Sequence, residues 1–264
     1  MSVPCLFWPV TVTTSQMVFR LERNPTGVPG NTTTNTTVTA GTYVNPDGTS
    51  SLLTQVETDF GTVNGVSVAL SLSVDGVVTI TVSGIESPSG ARIHWNNSSA
   101  TQALGAALGF DTSAADVPDS TGASSATFVA TKAMPRYWTP GLAPRRDDPG
   151  TEQEIVVTRA LSGVSTYDKL AAQDYRLIAF DWLSPERVFI ASESGTTTNA
   201  ALERFITDDA APGKFRWFDD RSTLGSGYAD YFLAAESVTK FEPKRLNEAV
   251  ALYSYDLKLW EYVS

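Results

Sequence analysis

The chain holds one histidine, His94, and one cysteine, Cys5, so few side chains could act as nucleophile, general base or soft metal ligand. His94 lies between Ile93 and Trp95 in a strand-like stretch. A metal centre would have to join it to Cys5 and two distant carboxylates, and neither an HExxH nor a CxxC spacing occurs. A Ser-His-Asp arrangement would need the same histidine, and no G-x-S-x-G elbow surrounds any serine. Three aspartate pairs remain: Asp147-Asp148, Asp208-Asp209 and Asp219-Asp220. Converging carboxylates cleave glycosides, and a carboxylate-rich loop can hold calcium. Adjacent residues on a strand or loop point apart, however, which predicts solvated turn residues at all three. Gly225-Ser226-Gly227 precedes a strand rather than a helix, so it reads as a turn and not a phosphate cradle. The expectation is no catalytic, cofactor-binding or metal-binding residue.

The elements around these residues are mostly strands. Val66, Val68, Leu70, Leu72 and Val74 alternate with small polar residues, Asp75-Gly76 follows, and Val78, Ile80 and Val82 resume the alternation. That is a β-hairpin, with the D-G pair predicted as a two-residue turn. Ser50 or Ser51 can cap a helix whose inward face is Leu52, Leu53, Val56 and Phe60. Thr101 is predicted to cap a second helical turn carrying Leu104 and Leu108, closed by Gly109. The segment 24–35 reads as a Gly/Pro/Asn/Thr loop. In the second half, 154–161, 175–182, 214–218, 228–237 and 250–263 read as strands, and Thr198 to Thr207 as a helix with Ala201, Leu202, Phe205 and Ile206 inward. No βαβ rhythm and no repeat of solenoid length appears. The predicted fold is mainly β, a β-rich α+β arrangement of two antiparallel sandwich or barrel-like domains with a few short helices.

With 264 residues, a formal charge of −10, 42% apolar and 18% charged residues, the composition is that of a folded globular protein. The largest basic cluster, Arg145-Arg146, is followed at once by Asp147-Asp148, which argues against a nucleic-acid partner. The apolar start MSVPCLFWPVTVTT lacks a basic region and is broken by Pro4 and Pro9, so no signal peptide or membrane span is expected. A single cysteine excludes internal disulfides and suits assembly in a reducing cytoplasm.

Between a β-rich unit at 1–131 and another at 153–264, residues 132–152 carry Pro135, Pro140, Pro144 and Pro149. Proline bars a helix interior and a central strand, so this stretch is predicted as an extended arm reaching a neighbour. Met134, Tyr137, Trp138 and Leu142 would be its assembly anchors. The aromatic residues at 215–232 and 253–260 exceed what one face of a sheet can bury, which predicts an association surface, with a sugar platform as the rival.

Several motifs resemble virion structural proteins of tailed bacteriophages. Residues 38–111 carry T-x-G-x-Y (Thr39, Gly41, Tyr43), G-x-x-T-I (Gly76 to Ile80), Ile93-His94-Trp95 and L-G-F-D (Leu108 to Asp111). The second half, with F-R-W-F-D-D (Phe215 to Asp220), F-x-P-x-R (Phe241, Pro243, Arg245) and L-K-L-W-E (Leu257 to Glu261), is similar to tail-tip and distal tail proteins. The resemblance covers about three quarters of the chain. It implies a non-enzymatic tail-tip or baseplate component in several copies around the tail axis, touching other tail proteins and neither nucleic acid nor membrane. Smaller distal tail proteins do not usually carry the N-terminal module, which leaves a neck, collar or fibre-attachment station, or a module that binds a host glycan or receptor, as alternatives.

Overall fold

The computed structural model describes residues 3–24, 30–159, 165–189, 201–207, 214–220, 224, 228–233, 241–247 and 251–262. In chain order the strands are β1 (Cys5–Phe7), β2 (Val10–Val12), β3 (Val18–Arg23), β4 (Thr32–Thr37) and β5 (Gly41–Tyr43). After helix α1 (Leu52–Phe60) come β6 (Thr62–Val63), β7 (Val66–Leu72), β8 (Val77–Ser83) and β9 (Arg92–Ile93). After α2 (Ser99–Leu108) come β10 (Ser120–Thr121), β11 (Ser125–Ala133), β12 (Tyr137–Trp138), β13 (Arg146–Arg159) and β14 (Ser165–Leu183). Helices α3 (Pro185–Val188) and α4 (Leu202–Thr207) precede β15 (Phe215–Phe218), β16 (Tyr228–Leu233), β17 (Lys244–Asn247) and β18 (Leu252–Glu261). The protein is mostly β, with four short α-helices among the described residues, as the sequence predicts.

Local chemistry sets the early elements. The Ser51 hydroxyl accepts the Thr54 N–H at 3.1 Å and opens α1, which buries Leu52, Leu53, Val56 and Phe60. For α2 the cap is Ser98 rather than Thr101; Thr101 is the third helical residue and closes the reciprocal half of a capping box. Gly109, left-handed at φ 85°, ends it. The β7–β8 hairpin is present, but its turn is not a two-residue one. Ser73 N–H bonds to the Val77 carbonyl and Gly76 N–H to the Ser73 carbonyl, leaving a three-residue loop, Val74 to Gly76. Of Asp75 and Gly76 only Gly76 has a positive φ, +84°, so a type I turn with a glycine bulge replaces the type I′ turn. The Ser73 hydroxyl accepting Val77 N–H at 3.0 Å favours that register. Residues 32–35, expected within a loop, belong to β4 beside β3, since β-branched threonine suits an extended chain.

Among the described residues all strand pairs are antiparallel. Five strands in the order β10-β11-β8-β7-β6, three in the order β4-β3-β9, and the pair β2-β5 surround the first core together with α1 and α2. The largest sheet runs β12-β1-β15-β16-β18-β14-β13, with β17 also on β18. Among the described residues none of the sheets closes into a barrel.

The first residues do not belong to the first unit alone. Strand β1 lies between β12 and β15 in the large sheet, with Leu6 opposite Trp138 on one side and Trp217 on the other. Cys5 and Phe7 point into the first core, together with Tyr137 and Phe218. Leu6 and Trp8 point into a second core with Trp138, Phe215, Trp217 and the inner faces of α3 and α4. The strip β12-β1-β15 is therefore a wall shared by two cores, which corrects a first domain running from residue 1 to 131.

Candidate functional site

Three of the four predicted anchors are interior residues. Met134 and Trp138 are 0% exposed and Tyr137 is 1% exposed, while Leu142 is half-buried against the second core. This corrects the extended arm at 132–152. Pro135, Pro140 and Pro144 occupy the connections between β11, β12 and β13, where no ladder donor is needed, and Pro149 sits in β13 at the sheet edge, where a missing donor faces outward. The side chains between the prolines are then free to pack inward. Trp138 donates its indole N–H to the Arg187 carbonyl at 3.0 Å and stands edge-on to Phe180. Tyr137 crosses the seam and donates its hydroxyl to the Val74 carbonyl in the hairpin loop at 3.2 Å. Arg187 closes the seam by donating to the Thr139 carbonyl at 2.9 Å and to Asp75 at 3.0 Å.

The other reactive types are also accounted for. His94 pairs with Glu22 at 2.7 Å, and that hydrogen bond holds the Glu22 carboxyl below its usual range. Cys5 is buried. Asp147 reaches Arg176 while Asp148 turns to Arg146, so the adjacent carboxylates diverge. Asp219 accepts from Arg176 and from the Trp217 indole. Asp208 and Asp209, and the glycine pair flanking Ser226, lie outside the described residues. Among the described residues no three metal-ligating side chains converge.

Two features of the large sheet go beyond the predicted strands. The first is a ribbon. Strand β14 pairs with β18 only from Tyr175 onward, whereas its pairing with β13 continues to Ser165 opposite Arg159. Residues 151–159 and 165–174 thus leave the body as two strands alone, ~30 Å long at about 3.4 Å per residue. Among the described residues both outer edges of this ribbon lack a strand partner.

The second is a cleft of about 540 Å³ at the ribbon root. Along one face of β14, Phe180 and Ile178 belong to the second core, and the same alternation then brings out Arg176 and Asp174. Asp147, Thr151, Tyr231 and Glu261 are among the other residues that line it. Arg176 lies over the Trp217 ring at 5.2 Å and donates to Asp147 at 2.5 Å and Asp219 at 2.7 Å. Burial works against its charge, but the two carboxylates outweigh this and raise its pKa above the ordinary guanidinium value. Burial also raises the Tyr231 phenol, against the pull of Arg176. Further along β14, an irregularity in the β14–β18 register carries Trp182, 62% exposed and left-handed at φ 64°. Few bulky residues adopt that conformation.

One titration outside this region is testable. Burial, followed by the charge of Asp119, raises the Asp116 carboxyl from 3.8 to about 6. Attraction from the Trp95 indole N–H, which makes no well-formed hydrogen bond, offsets this in part. The folded protein holds this proton more tightly than the unfolded chain, so stability increases as pH falls from about 6 toward 3.8 and is lost on the way back up. Asp116→Asn should therefore add about 1 kcal/mol at pH 8, after discounting for partial solvent exposure, and almost nothing at pH 4. Urea unfolding of both proteins at the two pH values checks this; an equal shift at both would assign the effect to packing.

Compared with known proteins, the chain matches no family model and no curated protein.

Proposed function

We propose that this chain is a non-enzymatic structural component of a bacteriophage tail, of tail-tip, distal-tail or baseplate type, working as several copies around the tail axis. The ribbon carries the reading. A two-stranded hairpin alone is marginal in water, and long open strand edges invite pairing with another chain. Here one edge belongs to β13 and the other to residues 165–174 of β14. Each open edge can accept a strand of a neighbouring copy, so successive copies can join through their ribbons. The resemblance of the Phe215–Asp220 and Leu257–Glu261 motifs to tail-tip proteins supplies the setting. A neck, collar or fibre-attachment station would use the same contact with different neighbours. The rival reading, a glycan-binding tail module, has the exposed Trp182 in its favour and requires sugar binding by the isolated monomer.

The test is to remove residues 152–173 and join Thr151 to Asp174 through an Asn-Gly turn. Sedimentation should show the parent protein as a higher oligomer and the shortened one as a folded monomer, and immunogold label should fall on the tails of virions. A shortened protein that assembles like the parent would overturn the reading.

A further inference from the structure

We infer that the face of the large sheet turned away from the second core is a carbohydrate-binding platform for short runs of neutral pyranose rings. The ligand is additional to the proposed assembly role and does not depend on the ribbon. Ile178, Phe180, Leu257 and Leu259 carry one face of this sheet into the second core. On the opposite face the strip β12-β1-β15 is covered by the first unit, through Tyr137, Phe7 and Phe218. Beyond that strip a row of aromatic side chains comes to the surface. Tyr175 on β14 and Phe232 on β16 both stand opposite Trp260 on β18, and directly opposite residues of an antiparallel pair share a face. Tyr262, 39% exposed, packs edge-on against Phe232 at 5.5 Å, and Tyr228, 43% exposed, keeps the same face of β16 by alternation.

The row has the parts of a stacking site. Gly150 of β13 lies opposite Tyr175, and a Cβ there would fall 2.5 Å from Cζ of that ring, so Tyr175 reclines across β13 where only glycine leaves room. Trp260 stands at 75° to it with centroids 5.8 Å apart, a wall beside that floor. The Lys258 ammonium, 4.5 Å from the Trp260 ring centre and 5.2 Å from that of Tyr175, sets N–H donors at their corner. A pyranose presents C–H bonds on its faces and hydroxyls around its rim. The electron-rich face of an aromatic ring attracts the first, and polar groups beside it hydrogen-bond the second. Size and charge favour this occupant. Five partly covered aromatics expose roughly 300–400 Å², short of the ~800 Å² per partner of a stable protein contact. Across three strands the row spans ~10 Å, enough for about two linked pyranose rings. Single-stranded nucleic acid also stacks on aromatics, but it needs cations to match its phosphates. On this face Arg146 is bonded to Asp148, and Lys214 and Arg216 share Asp230 at 3.2 and 3.1 Å, in a chain of net charge −10.

The experiment is affinity electrophoresis of the full-length protein through gels holding dextran, mannan, galactan or hydroxyethyl cellulose. The parent should be retarded by at least one of them, and Trp260→Ala should raise the Kd for that polysaccharide about tenfold or more. Gly150→Val keeps every aromatic residue but displaces Tyr175 from β13, and should also weaken binding. Trp182→Ala, on a separate part of β14, should bind like the parent. Circular dichroism and unfolding midpoints of each variant keep misfolding apart from lost contact. A parent retarded by none of the four gels, or both platform variants binding as well as the parent, overturns the inference. So does loss confined to Trp182→Ala, which would move the sugar to the site of the rival reading. Retention of an oligo-dT strand in place of the sugars, or a Trp260→Ala change that alters self-association alone, would assign the row to nucleic acid or to a second copy. Sedimentation of the same proteins separates this from the ribbon: binding without assembly sinks the ribbon reading alone, and assembly without binding sinks this one alone.

Discussion

Replacing Trp138 by alanine should cost about 4 kcal/mol of folding stability, in line with the ~3–5 kcal/mol typical of truncating a buried aromatic. The side chain has no solvent exposure, packs on Phe180 at a centroid distance of 5.5 Å, and holds the Arg187 carbonyl through its indole N–H. Truncation leaves a cavity between β12 and the second core and orphans that carbonyl. Against the ~5–15 kcal/mol of a typical domain, such a loss removes a large share of the margin. Urea or guanidinium unfolding followed by tryptophan fluorescence measures it, and Trp138→Phe should recover more than half. A Trp138→Ala protein of parental stability that merely failed to assemble would restore the residue to an arm on the surface, and would contradict the packing described above.

The second large effect is expected at Gly76. Its left-handed φ of +84° alone disfavours a side chain by ~1–2 kcal/mol. A Cβ there would also lie 2.3 Å from Cδ1 of Tyr137. That ring cannot swing aside freely, because it is 1% exposed and its hydroxyl holds the Val74 carbonyl of the same loop. The Gly76 carbonyl in turn accepts the Met134 N–H at 2.9 Å, so a shifted loop strains the connection from β11 to β12 as well. Gly76→Ala should cost about 3–4 kcal/mol in total, counting overpacking with the backbone term. Gly48 gives the control. It has a similar φ of +69° with nothing within 4 Å, so Gly48→Ala should show the backbone term alone, about 1 kcal/mol. Equal losses at the two sites would mean that the hairpin loop does not brace the seam.

What could be read from the chain follows the range of the forces involved. Helix α1, its Ser51 cap and its buried face are set within ten residues, and the alternation of β7 and β8 is equally local. Strand β1 carries no alternation because both its faces are buried, so Cys5-Leu6-Phe7 offers nothing to distinguish it from any short apolar run. The proline-rich stretch misleads for a related reason. Proline restricts its own backbone, but whether Trp138 is buried depends on Leu6 and Phe180, which local pattern does not reveal. The ribbon was half visible: 154–161 reads as a strand, whereas Ser165 to Asp174 takes its strand form from the partner across from it. The cleft could not be foreseen, since its charges come from β13, β14 and β18 and meet only when those strands align.

The shared wall has a consequence for the time course of folding. Strand β1 finds its neighbours far along the chain: Trp8 donates to the Phe205 carbonyl across a separation of 197 residues, and Thr139 donates to the Pro4 carbonyl across 135. The hairpins and helices between residues 10 and 133 close short loops and can form early, whereas β1 must wait, unpaired on both edges, until β12 and β15 arrive. Contacts of such separation carry a loop-closure cost and slow the search. The last event should then be the capture of Cys5–Phe7 between the two cores, so a refolding intermediate would keep an ordered first core while this segment stays open to protease and to hydrogen exchange.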